Sequence, residues 1–330
     1  MAVSKSSQRV TAARPTARTV TAATALGFAV RGLAADKERK FLSDIQSDDA
    51  DVRYAAWSIA EQMDPEVIPE LSKLLLAGKP GVRKAAAEAL TYLVHSVGEE
   101  PGAEKRKAVV AKLIELLSEK RHKTERVTAL RHLSLLAEAE AVPAIAKLVA
   151  LPDLREEVAF CLERIPGKTA EEALLDAYEG AAEEFKPRIL AALGHRRTEE
   201  AVPLTLAAMQ SSNIEIAVAA MKAFARIGAR PTGKIQWPAY EPLSDWQKIE
   251  YADSMLRYAD ARVEKGSPGE AWPIYQAALE REEEHWQCAA IVGLAKMKTS
   301  QAAAAIFPKL SSPNDKVRIT AEQAWDKMKS

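Results

Sequence analysis

Cysteine is nearly absent from this 330-residue chain, with only Cys161 and Cys288, which excludes a scaffold held by a framework of disulfides. Glycine is scarce at 14 residues, aromatics make up 6%, and no β-branched run alternates with period two. Together these absences speak against a sheet protein. No long hydrophobic run occurs near the N-terminus. The longest apolar window there, Ala25 to Val30, is broken by Arg31, whereas a membrane-spanning helix needs about 20 apolar residues. No membrane span is therefore expected. Net charge is also missing, with 46 basic residues against 46 acidic. The balance is uneven along the chain. Five of the basic residues (Lys5, Arg9, Arg14, Arg18, Arg31) and none of the acidic ones fall in residues 1–35, so the remainder carries −5. A mildly acidic body argues against non-specific nucleic-acid binding, which needs a basic face.

Chemical motifs are absent as well. The five histidines (His95, His122, His132, His195, His285) do not pair at metal-ligand spacing with each other or with a cysteine, and no Cys-x-x-Cys occurs. The sequence has no phosphate-binding glycine loop and no Gly-x-Ser-x-Gly nucleophile turn. No catalytic residue, no metal and no cofactor is therefore expected. The acidic runs Glu171-Glu172, Glu183-Glu184 and Glu280 to Glu284 read as helix-start charges on a solvated face.

What is present is a repeat. The pattern, as in Leu154 to Leu162 (LREEVAFCL), places an apolar residue first, small or apolar residues three and four later in most copies (Ala55-Ala56, Ala85-Ala86, Ala289-Ala290), and a large apolar residue at plus eight. Copies start at 52, 82, 125, 185, 216, 286 and 317. Most steps are 29 to 31 residues; the exceptions are 43, across the loop 98–102, and 70, between Ile216 and Trp286. A fixed period of this length marks stacked units, none of which can bury its apolar face alone. With hydrophobic content at 48% and abundant alanine, the units read as helical hairpins. The fold expected is all-α, an α-α superhelix or solenoid of about eight to nine hairpins over residues 36–330. The copies mark the second, inner helix of each hairpin. The first, outer helices share an apolar-Pro-x-apolar motif at Ile68-Pro69, Val142-Pro143, Val202-Pro203 and Trp272-Pro273. A proline in the first turn costs no hydrogen bond. The 70-residue step reads as one repeat plus an insertion of about 15 residues near 229–244, by subtracting one period from the spacing. Residues 1–35 read as a separate segment, either disordered or a targeting signal, so the compartment stays open between cytoplasm and export. The two cysteines fall on inner helices several steps apart, too far for a bridge when helices pack roughly 8–10 Å apart. Both read as small buried residues.

These hairpins resemble HEAT repeats, on the outer-helix proline motif and on inner-helix starts such as Val52-Arg53-Tyr54-Ala55-Ala56 and Asp315-Lys316-Val317-Arg318. The style is also similar to bacterial HEAT-like arrays related to phycobilin lyases. The resemblance implies that a turn aspartate and an inner-helix arginine tie neighbouring units into a ladder. The matching positions are Asp51, Arg53, Arg83, Arg155, Asp315 and Arg318. Phe185 and Ile216 are not followed by arginine, so an interruption is expected there. HEAT-like deoxyhypusine hydroxylases carry His-Glu pairs that bind iron, and this chain has no His-Glu dipeptide.

Candidate partner-binding residues come from two places. Residues 237–286 hold four of the six tryptophans and four of the seven tyrosines. Trp237 and Tyr240 lie in the inserted connector, where the repeat does not demand them, and Trp246 follows closely. Insertions in such arrays often form a binding face, although the same aromatics would serve as a hydrophobic plug. Arg196 and Arg197 follow the inner helix of the fifth unit, where basic residues complement the helix dipole and offer a weak anion site. The expected function is a non-catalytic scaffold or adaptor, monomeric, that binds a protein partner of unknown identity. The alternatives are a phycobilin-lyase-like enzyme acting on a small molecule or chromophore and, less favoured, a DNA-binding enzyme of HEAT type.

Overall fold

The structure, a computed structural model, describes residues 35–98 and 103–329. The expectation for residues 1–35 thus lies outside the described residues but for Ala35. The chain divides into two compact units, Met1–Lys112 and Leu113–Ser330. Among the described residues there are seventeen α-helices and no strand. The all-α reading holds, with neighbouring helices packed as in an α-α superhelix.

In the first unit, α1 (35–45) and α2 (Ala50–Trp57) form one pair and α3 (Ile68–Leu74) and α4 (Pro80–Ser96) the next. Helix α5 (Glu104–Glu115) carries the chain across the division. Phe41 and Ile45 of α1, Ile68 and Leu71 of α3, and Leu90 and Leu93 of α4 are buried, as the 3.6-residue spacing requires. Helix α2 is capped by Asp49, whose Oδ1 accepts from the Asp51 amide at 2.8 Å.

The second unit continues the alternation. First helices are α7 (Val142–Ala146), α9 (Lys168–Gly180), α11 (Val202–Ala208), α14 (Pro268–Leu279) and α16 (Ser300–Ile306). Second helices are α6 (Lys123–Leu136), α8 (Arg155–Arg164), α10 (Lys186–Arg196), α12 (Ile214–Ile227), α13 (Asp245–Glu264), α15 (Glu284–Met297) and α17 (Asp315–Lys329). Each second helix packs on the next, in the row α6, α8, α10, α12, α13, α15, α17. Small residues allow this. A Cβ at Gly194 of α10 would lie 2.7 Å from Ala223 Cα of α12. Cys161 is fully buried in α8, and burial pushes its thiol up to about 12. Cys288, expected to be buried, is only half-buried; both cysteines are free.

Three first helices begin alike. A 3-10 turn (Pro65–Val67, Ala139–Ala141, Glu199–Ala201) leads into α3, α7 and α11, each with proline in its first turn. The fourth motif departs from this. Pro273 lies inside α14, because Pro268 already opens that helix. The Pro273 ring faces solvent, and the bond it forfeits is only the one to Gly269 in the first turn.

The largest departure is at residues 229–244, which form no helix. The sequence suggested an added insertion. The packing shows a replacement: α13 is a second helix without a first helix, and the connector fills that place. Trp237 stands edge-on to Phe224 of α12 and to Tyr251 and Tyr258 of α13, with centroids 6.0 to 6.2 Å apart. Phe224 and Tyr258 stack at 4.8 Å. Tyr240 meets Tyr251 at 5.3 Å and the buried Trp286 of α15 at 6.5 Å. Large rings supply from an extended segment the area that a helix would otherwise bury. Both ends of the connector are pinned. It leaves α12 through Gly228 (φ 59°), which has no room for a Cβ against Ala261. Buried Arg262 donates to Gly228 O (3.1 Å) and to Glu270 Oε2 (2.8 Å). Ser244 then caps α13 in a reciprocal capping box with Gln247.

Replacing Gly194 by Ala inserts a methyl against the α12 backbone. The cost expected is about 1–3 kcal/mol, read as a lowered melting temperature, whereas Gly180→Ala, in open space, leaves melting unchanged or raised.

Candidate functional site

The second-helix row of the second unit carries a cleft of ≈ 1230 Å³. Its walls come from the C-terminal ends of α10 and α12, the length of α13, and the N-terminal halves of α15 and α17. Ala252, Leu256 and Ala289 line it, together with Ile249 and Val292. Ile249 is 59% exposed and Val292 48%, so an apolar strip lies open to solvent along α13 and α15. Large apolar side chains grouped this way on a surface mark a contact face more often than isolated ones do.

The charged groups of the cleft are mostly paired. Asp253 accepts from Nε and Nη2 of Arg257 one turn on, at 3.0 to 3.3 Å. Lys265 donates to Glu199 at 3.1 Å. Asp260 accepts from Lys296 Nζ at 2.6 Å and from the Tyr275 hydroxyl at 2.5 Å. Tyr275 belongs to first helix α14 and is buried. Burial, then the Asp260 carboxylate, raises its pKa well above the usual phenol value. Its ring reaches Asp260 beneath Gly293, where a Cβ would fall 2.3 Å from the ring. Tyr275 thus stitches α14 to α13 under the cleft floor.

At the α10–α12 end, His195 bridges two charges. Its Nδ1 lies 2.9 Å from Glu163 Oε1 and its Nε2 lies 2.7 Å from Arg226 Nη1. A guanidinium only donates, so Nε2 accepts from Arg226 and Nδ1–H donates to Glu163. Glu163 also accepts from Arg188 at 2.9 Å.

The sequence-derived candidates separate clearly. Trp237 and Tyr240 turn inward as cover, as described. Tyr240 is further held by Arg281 over its ring at 4.5 Å and by its hydroxyl donating to Glu283 at 3.3 Å. Trp246, at the start of α13, is 60% exposed, with Lys222 over its ring at 5.5 Å. Arg196 is not offered to a partner. Its side chain donates to the carbonyls of Leu162, Glu163, Ile165 and Gly167, the otherwise unpaired C-terminal end of α8 and the turn after it, and meets Glu171 at 3.4 Å. Arg197, its neighbour, is exposed and lines the cleft.

The ladder positions behave in two ways. Arg53 donates to Ser47 O and Asp48 O, and Arg83 to Ala77 O and Gly78 O, so each closes its own inter-helix turn. The Arg53 guanidinium also lies against Gly81, where a Cβ would fall 2.7 Å from it. Asp48 and Lys79 join successive turns at 2.5 Å, which holds the Asp48 carboxyl below its usual range. Asp51 donates its amide to Asp49. Arg155 reaches the next repeat, to Glu184 at 3.2 Å and over Phe185. Arg318 and Asp315 pair with each other. At Phe185 and Ile216, where arginine is missing, other groups make links: Glu184 with Arg155, and Glu183 with Asn213 at 3.4 Å.

Ile249 and Val292 were not singled out by sequence reasoning. The place six residues after a repeat start is polar at Ser58, Glu88, Arg131, Lys222 and Gln323 and apolar at Phe160, Ala191 and Val292, so that pattern does not single out Val292. Ile249 lies outside the buried Tyr251–Tyr258 stripe of its helix. Among the described residues no group of three or more His, Cys, Asp or Glu is placed to hold a metal, and no helix is long and apolar enough to cross a membrane.

Arg196→Met leaves the α8 carbonyls unpaired. A loss of about 2–3 kcal/mol is expected, measurable by thermal or denaturant unfolding, whereas Arg197→Met leaves unfolding unchanged.

No family model matches the chain, and no curated protein matches it. Among solved structures it is similar to an engineered protein at 19% identity, covering 88% of each chain, with a TM-score of 0.39. It is also similar to human deoxyhypusine hydroxylase, solved with glycerol, at 16% identity, covering 82% of this chain and 99% of that one, with a TM-score of 0.32.

Proposed function

We propose that this chain is a non-catalytic, HEAT-like repeat protein, a scaffold or adaptor that holds a protein partner in the cleft on α10–α17. The observation that carries the reading is the exposed pair Ile249 and Val292, with half-buried Leu256 beside them, on a recessed face with a polar rim, the anatomy of a protein-binding patch. Trp246, exposed at the start of the same helix as Ile249, adds a further candidate contact. Residues 36–330 act as one repeat array and the chain works as a monomer, with residues 1–35 as a basic tail or targeting segment.

A second reading keeps one observation on its side. Asp260, His195 and His285 line the same cleft, which is the residue set a lyase-like enzyme would need for a small molecule or chromophore. A DNA-binding role gains no support from the rim, where Arg197, Arg226, Arg257 and Lys265 are interspersed with Glu199, Asp253, Asp260 and Glu264 and form no continuous basic stripe.

Capture from native lysate with the full chain as bait tests the reading. Ile249→Asp and Val292→Asp each place a carboxylate on the exposed strip without disturbing the core. They are expected to abolish capture of the partner with melting unchanged. Capture that survives both changes contradicts the proposal. Trp237→Ala is not a clean probe, since it removes part of the cover of α13.

A further inference from the structure

The cleft is uneven in charge once its internal pairs are removed. Asp253 with Arg257, Glu199 with Lys265, and Asp260 with Lys296 and Tyr275 satisfy one another. Left over at the α10–α12 end are Arg197 and Arg226, against Glu264 alone. Arg226 has an imidazole nitrogen as its bonded neighbour, with the Glu163 carboxylate on the far side of that ring. The Arg197 backbone N–H donates to Gly194 O at 3.1 Å, and its side chain has no hydrogen bond or ion pair among the described residues.

The backbone at Arg197 adds an independent sign. Arg197 ends α10 in the left-handed region, φ 57°, ψ 41°. That conformation crowds any residue with a Cβ and is the usual place for glycine at a helix end. The next helix in the row, α12, ends the same way on Gly228 at φ 59°. The chain therefore keeps a long cationic side chain at a position where glycine would sit without strain. Non-glycine residues in this region recur at ligand clamps and switch sites. Lys298 shares the conformation away from the cleft, so it is the place of Arg197 on the cleft wall, with the backbone, that gives the sign.

We infer that the α10–α12 end of the cleft takes a carboxylate of the partner, through Arg197 and Arg226, while apolar side chains of the same segment lie on Ile249, Leu256 and Val292. The occupant is a peptide segment with apolar residues beside an Asp, a Glu or a chain-terminal carboxylate. This rests on the protein-binding reading of the cleft and adds the chemistry of its partner. Guanidinium groups suit a carboxylate because their donors fork to match its two oxygens.

A random dodecapeptide display library panned on the full chain supplies the test, with the selected peptides made synthetically for titration. Enrichment in apolar residues together with Asp or Glu is expected. Arg197→Gly is expected to weaken those peptides about tenfold, the scale of one lost charge-assisted contact, without lowering the melting temperature. Lys298, at the end of α15, has the same left-handed backbone (φ 48°) and does not line the cleft. Lys298→Gly relieves the same strain and is expected to leave binding unchanged. Peptides that lack acidic residues, or that bind Arg197→Gly as tightly as wild type while Ile249→Asp abolishes binding, overturn the carboxylate inference and leave the cleft standing. Peptides that bind Ile249→Asp and Val292→Asp undiminished, or no enrichment at all, overturn both.

Discussion

The constraint on which the second unit depends is the close approach of consecutive second helices. Gly194 against Ala223 and Gly228 against Ala261 leave no space for a further carbon. Helices this close form a row whose members register on one another, and each member needs a cover on its other side. First helices supply that cover in most repeats. Where one is missing, at α13, the chain must supply equal apolar area by another route.

The aromatic content of residues 229–286 follows from that need. Trp237, Tyr240, Tyr251, Tyr258 and Phe224 form one edge-to-face and stacked cluster, and burial raises the pKa of all three tyrosines above the usual phenol value. Arg262 anchors the exit of α12 and the entry of α14 from within the core. The consequence for function is on the opposite side. Helix α13 is held from behind by rings and from below by Tyr275, which leaves its front face, with exposed Ile249 and half-buried Leu256, turned to the cleft.

Much of this was legible in the sequence. The period near 31 residues and the proline motif placed nearly every helix within a few residues, because they report a repeating burial pattern. The 70-residue step was read as repeat plus insertion, although Tyr251 stands midway between Ile216 and Trp286 and its helix repeats the spacing with Met255 and Ala259. The missing outer-helix motif hid that second helix. Trp237 lies in a connector where the repeat demands no aromatic, which points to a binding surface, yet it turns inward; an aromatic in a connector has no periodicity to show its direction. Arg196 and Arg197 are alike in sequence. Their opposite fates, one buried on carbonyls and one facing the cleft, depend on the left-handed turn at the end of α10, which no local residue pattern announces.

The most direct measurement of the central claim, that the connector is cover and the α13–α15 face is the site, is hydrogen–deuterium exchange with and without a bound display-selected peptide. The account predicts added protection in residues 246–264 and 285–292 and no change in 229–244. Protection confined to 229–244, with the α13 and α15 amides unaffected, would contradict it.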